Sequence, residues 1–225
     1  MRVGTVRVRR GVAQVALLAG VLTGCSGGSD EEPEGRASAS AEASRGGGSA
    51  AVKSGGSVGA AGSACALPVT FDVAESWKPK AVEAGSAEGE GELAEELAAA
   101  LLHQGPVTAA CEIDAKPAGN IGFLRVWTGE PGDADARTVL KEFVAAEKGA
   151  EQAKYRAFKT ADGVTGAEVT YTYTSEALDE TKEERALAVA TKRGPVVLHL
   201  GGLDTDEHRA MLPAYELARR TLRVG

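Results

Sequence analysis

Residues 155–200, YRAFKTADGVTGAEVTYTYTSEALDETKEERALAVATKRGPVVLHL, decide the fold. Residues 155–159, 167–173, 185–191 and 196–200 are rich in β-branched, aromatic and alternating apolar side chains. That composition and period predict four strands. They are separated by Asp162-Gly163, by an acidic stretch at 175–184 read as a loop, and by Arg193-Gly194-Pro195. Parallel neighbours need a crossover of a dozen or more residues, so such short links favour antiparallel hairpins.

On the C-terminal side, Asp204-Thr205-Asp206-Glu207 has the spacing of a capping box and predicts a helix carrying Met211, Tyr215, Ala218 and Leu222. Pro213 inside it predicts a kink or a restart, because proline lacks the N–H that the preceding turn needs. Toward the N-terminus, residues 69–73 alternate as a half-buried strand and residues 80–83 read as a second. Leu93, Leu97 and Leu101 recur at helical spacing before Gly105-Pro106. Residues 107–113 and 121–127 read as strands joined by the turn at 116–120, and Pro131-Gly132-Asp133 opens a helix with Val139, Leu140, Phe143 and Val144 on one side. The fold class is α+β: a mainly antiparallel sheet flanked by helices.

The first residues follow another logic. Arg2, Arg7, Arg9 and Arg10 precede an apolar run at 11–24 interrupted by Gln14 and Thr23. As a helix the run would be roughly 21 Å long, short of the ~30 Å bilayer core, which describes a signal segment and not a permanent span. Leu22-Thr23-Gly24-Cys25 resembles the lipobox of bacterial lipoproteins. The resemblance implies diacylglyceryl transfer to the Cys25 thiol and signal-peptidase cleavage between Gly24 and Cys25. The Arg9-Arg10 pair leaves the export route open between the general secretory and twin-arginine pathways.

Three regions follow: a signal peptide at 1–24, a lipidated cysteine with a Gly/Ser/Ala-rich tether at 25–64, and a globular domain at 65–225. The tether carries too few large apolar side chains to offset its ordering entropy, so it reads as a disordered linker. Without the four leader arginines, 21 basic residues stand against 32 acidic ones, so the mature chain is near −11. That charge, with no basic stripe, argues against nucleic acid and holds the domain off anionic headgroups. With Cys25 assigned to lipid, Cys65 and Cys111 are expected to pair in an oxidising compartment, the alternative being two separate buried thiols.

The order of elements also resembles the PsbP-like family, which includes actinobacterial lipoproteins of the LpqN type. The resemblance is carried by residues 69–73 with Trp77 at the domain start, and by Glu207-His208-Arg209, Pro213-Ala214-Tyr215-Glu216 and Thr221-Leu222-Arg223 at its end. It implies an α/β/α sandwich and no particular activity, since the fold carries binding and accessory proteins alike.

Chemistry is sparse. Ser76, Ser86 and Ser175 are the serines beyond the tether, and none lies in a nucleophile elbow. His103 reads as a residue near a helix C-terminus, His199 as a hydrogen-bonded strand histidine and His208 as exposed. Asp133 with Asp135, and Asp204 with Asp206 and Glu207, read as helix caps rather than as a calcium loop. The run Glu88, Glu90, Glu92, Glu95 and Glu96 reads as a solvated helix face, and Arg219, Arg220 and Arg223 as a helix C-terminal cluster. No catalytic set, metal site or cofactor is expected. The reading is a non-catalytic binding or accessory lipoprotein of the cell envelope, held to the membrane by its lipid, with an envelope protein or wall component as partner. The alternative is a small-ligand binder whose cleft is lined by Trp or Tyr, and Trp77 and Trp127 are its candidates. An envelope enzyme is the third reading.

Overall fold

A computed structural model describes residues 52–83 and 102–225. Gly24, Cys25, the leader, most of the tether and the helix read at Leu93, Leu97 and Leu101 lie outside the described residues.

The elements in chain order are β1 (Ser54–Val58), β2 (Val69–Ala74), β3 (Lys78–Ala81), β4 (His103–Gln104), β5 (Val107–Asp114), β6 (Gly122–Thr128), α1 (Ala136–Ala145), β7 (Ala150–Lys159), β8 (Thr165–Ser175), β9 (Glu180–Thr191), β10 (Gly194–Gly202), α2 (Thr205–Thr221) and β11 (Arg223–Val224). A short 3₁₀ turn at Lys116–Ala118 links β5 to β6. The large sheet has the order β3-β5-β6-β10-β9-β8-β7, with β4 added on β5, and a small sheet has the order β1-β2-β11. Every ladder is antiparallel, as the short links favour where consecutive strands pair.

Period-two alternation divides the large sheet between two cores. In β9 and β10, Leu187, Val189, Val196, Leu198 and Leu200 face one layer, while Ala186, Ala188 and Val197 face the other. The first layer holds α2 and the small sheet, with Met211, Tyr215, Ala218, Phe71 and Val69 buried between them. The second holds α1, whose Val139, Leu140, Phe143 and Val144 pack against Val169, Tyr171 and Trp127. The product is a three-layer arrangement of helix, sheet, and helix with a small sheet.

Several boundaries move from the sequence reading. The tether's final residues form β1, paired with β2 from Val58↔Phe71 to Ser54↔Ala74, so ordered structure begins before residue 65. The strand read at 80–83 is β3, two residues earlier. The acidic loop read at 175–184 is mostly hairpin: β8 and β9 pair out to Ser175↔Glu180, leaving only residues 176–179 as the turn. The N-cap of α1 is Asp135, which accepts from the backbone N–H of Arg137 and Thr138, and not the Pro131-Gly132-Asp133 turn. Pro213 sits inside an unbroken α2. An interior proline costs about 3 kcal/mol, and the buried apolar face on both sides of it, from Met211 to Ala218, offsets that.

A disulfide joins Cys65, in the β1–β2 connection, to Cys111 in β5, with Cα atoms 5.9 Å apart and a separation of 46. It fastens the small sheet to the large one. On the chain-entropy model a loop of this length contributes about 4 kcal/mol. Among the described residues no helix is long and apolar enough to cross a membrane.

Candidate functional site

Helix α1 covers β7, β8 and β9, and only the near edge of β10. On the uncovered part of that face lies a groove of about 520 Å³, with walls from β6, β8, β9 and β10 and from the residues that follow α1. Its depth has a simple cause. At Gly201 of β10 there is no side chain to fill the space beside Phe123 and Glu184. A Cβ placed on Gly201 would touch Glu184 Oε2 and His199 Cε1 at an ordinary 3.8 Å, so the trough is open above that residue.

The floor is a buried polar network. His199 Nε2 lies 3.1 Å from Glu184 Oε2 and 3.1 Å from Tyr171 Oη. Tyr171 donates its O–H to Glu147 Oε2 at 2.6 Å, so its oxygen can only accept from the imidazole, which fixes the proton on Nε2. Lys182 Nζ stands 2.8 Å from Glu184 Oε1 and donates to the Gly202 carbonyl at 2.7 Å. Burial opposes ionisation of Glu184, but the hydrogen bond and charge of His199, together with Lys182, outweigh it and hold the carboxyl below its ordinary range. Burial, then the neighbouring Glu147 and Glu184, pushes the Tyr171 phenol well above its usual value, so it stays protonated.

The walls mix aromatic and aliphatic groups. Trp127 is 4% exposed and its indole N–H has no hydrogen-bond partner. Its ring meets Phe143 edge-on at 5.6 Å, and Phe143 meets His199 at 5.5 Å. Arg125, paired with Glu112 at 2.7 Å, lies over Phe123, and Lys182 lies over Tyr173. Ile121, Leu178 and Leu203 are 48%, 69% and 53% exposed, and all three rim this groove. They are the large exposed hydrophobic side chains among the described residues.

Of the histidines singled out from sequence, only His199 reaches the groove, in the hydrogen-bonded strand role expected. His103 lies in β4, its Nδ1 2.8 Å from Thr108 Oγ1. His208, expected to be exposed, is 2% exposed in the first turn of α2, and burial lowers its pKa. It is buried because α2 starts tight against β10: its N–H donates to the Asp204 carbonyl beside Gly202. Asp204 caps α2 by accepting from the N–H of Glu207 at 2.8 Å, and Asp135 caps α1. Arg219 pairs with Glu216 at 2.9 Å. Trp77 belongs to the opposite core, so the two tryptophans do not share a cleft. Among the described residues no group of three or more His, Cys, Asp or Glu side chains could hold a metal ion.

Glu147, Tyr171, Lys182 and Glu184 were not singled out from sequence. The usable signal was the phase of β9: Glu184 precedes Ala186 and Ala188 by even steps, which places a carboxylate on a buried face.

Residues 35–222 match the family described as uncharacterised lipoprotein, and the chain belongs to that family. The chain is therefore a lipoprotein in class, with an α+β domain that carries a sheet-face groove. A solved structure similar to it is the solution structure of cyanobacterial PsbP (CyanoP) from Synechocystis sp. PCC 6803, at 14% identity and a TM-score of 0.46, covering 70% of this chain and 87% of that one. A search of curated proteins gives no match.

Proposed function

We propose that this protein is a non-catalytic, extracytoplasmic binding lipoprotein, anchored through lipid on Cys25, and that the groove beside α1 is its ligand site. One observation carries the reading: Ile121, Leu178 and Leu203 gather around a single concavity instead of being scattered. Lone exposed apolar residues are ordinary, whereas a cluster around a pocket of this size is the signature of a binding site. A wall containing Trp127 and Tyr173 favours a small ligand over a flat protein contact. The non-catalytic reading rests on the partners of His199, a carboxylate and a phenol that stays protonated, with no serine or cysteine among the described residues bonded to it.

The test uses lipidated protein purified in mild detergent and weighed by native mass spectrometry. A groove ligand appears as mass beyond the acylated polypeptide that is lost in Gly201→Leu and in Leu178→Lys. If both variants retain the same bound mass, the groove is not the site. For the anchor, Cys25→Ala is expected to leave an uncleaved or unlipidated precursor; a variant that stays membrane-bound at processed size overturns lipidation at Cys25.

A further inference from the structure

Charge accounting inside the groove leaves an imbalance. Arg125 is committed to Glu112. Lys182 is committed to Glu184 and the Gly202 carbonyl, and Glu184 is further satisfied by His199. Among the described residues, two lining carboxylates have no cation beside them. Glu147 accepts only the phenol proton of Tyr171, and Glu180, at the distal end of the β8–β9 hairpin, has neither hydrogen bond nor ion pair among its side-chain contacts. Both flank Tyr173. The second element is the aliphatic rim of Ile121, Leu178 and Leu203.

Each element asks something different of an occupant. The rim asks for an apolar body. Glu147, half-buried, and Glu180, exposed at the rim, ask for a positive charge, and the attraction counts for more at the partly desolvated Glu147. A groove of about 520 Å³ falls in the range of small-molecule sites and limits the occupant to the size of a drug-like molecule or a very short peptide. We propose that the ligand is a small amphipathic cation: an apolar body carrying an ammonium or guanidinium group. This rests on the groove being a ligand site, and the experiment separates the two.

The experiment places the full-length lipoprotein in lipid nanodiscs and follows its indole ¹H–¹⁵N resonances. The chain has two tryptophans, so Trp77 in the opposite core is an internal reference for Trp127. Three probes share one body and differ in charge: Leu-Leu-amide as the ammonium, N-acetyl-Leu-Leu-amide as the neutral form and N-acetyl-Leu-Leu as the carboxylate. At pH 6.5 the ammonium probe is expected to shift Trp127 saturably and about tenfold more tightly than the carboxylate, with the neutral probe between them. Glu147→Gln combined with Glu180→Gln brings the ammonium probe down to the neutral affinity and leaves the neutral probe unchanged. Gly201→Leu removes all three responses; should that variant fail to fold, Leu178→Lys, at a side chain mostly in solvent, lowers the ammonium response selectively. If the neutral or anionic probe binds as tightly as the ammonium, the charge assignment is overturned and the ligand site stands. If no probe moves Trp127, both readings fall.

Discussion

Glu184 Oε2 stands 3.1 Å from His199 Nε2, and the same imidazole nitrogen reaches Tyr171 at an equal distance, so one ring proton ties three strands together beneath the groove. The fold favours the ionised form of Glu184. Its contribution is therefore full above the ordinary carboxyl range and is lost as pH falls through the depressed folded value.

His208 behaves differently, because burial lowers its pKa and so favours the neutral ring. Protonation then favours the unfolded chain, and stability falls as pH drops from the ordinary imidazole value of 6.5 toward the depressed folded one. Thermal melts between pH 7.5 and 3 are expected to fall in two stages. His208→Leu removes the first and Glu184→Gln reduces the second. A single acid transition unchanged by His208→Leu contradicts this account.

Glu168 is completely buried, while its partner Arg156, 2.7 Å away, is more than half exposed. Removing the arginine strands a carboxylate that keeps only the Tyr215 hydroxyl at 3.2 Å and Arg185 at 4.0 Å. Removing the carboxylate's charge releases Arg156 to water. Arg156→Met is thus expected to cost about 1–3 kcal/mol and more than Glu168→Gln, and the double variant to be more stable than Arg156→Met alone. Urea denaturation of the three variants checks the order.

The Cys65–Cys111 bridge predicts that reduction or Cys65→Ala with Cys111→Ala lowers stability by about 4 kcal/mol, since the large sheet and the small one lose their covalent tie. Thiol counting of native protein before and after reduction provides the direct check: two new thiols are expected, and two already free in the native state refute the bridge.

Gly59 has φ +104, and its N–H and C=O bond Cys65 and Leu67 in the connection that enters β2. A Cβ there would overlap the Val69 carbonyl. Gly59→Ala is expected to destabilise by about 2–3 kcal/mol from the left-handed backbone alone, more if the carbonyl cannot move. Denaturant midpoints test this, with Gly62→Ala as the comparison, where φ is +82 but a Cβ meets nothing within 4 Å.

Strands β2, β5, β6, β8, β9 and β10 were legible because their apolar residues alternate, and the cap of α2 because Asp204 stands just ahead of helical periodicity; β4 was not legible, since His103 was read as the end of a helix. Strand β1 was not legible: of its SGGSV only Val58 is buried, and its order comes from the ladder offered by β2. The outer part of the β8–β9 hairpin was hidden by its charge, because Lys182, Glu183 and Glu184 look solvated until Arg209 and His199 are placed beside them. The groove was invisible for a related reason. It is made by what Gly201 lacks, and by carboxylates whose partners lie on other strands. The capping box was half right: Asp204 caps as its spacing indicates, but Glu207 turns away to accept the N–H of Ile121, 86 positions earlier.

Strand β2 is clasped by β1 on one side and β11 on the other, so the first and last strands of the folded unit meet on a single ribbon. Any pull arriving along the chain from its N-terminal side enters at Ser54 and is taken up by the β1–β2 ladder and then by the Cys65–Cys111 bond. The groove lies on the other face of the large sheet, off that load path. A domain strained at its leash would yield first at its hem, with the binding face left in register.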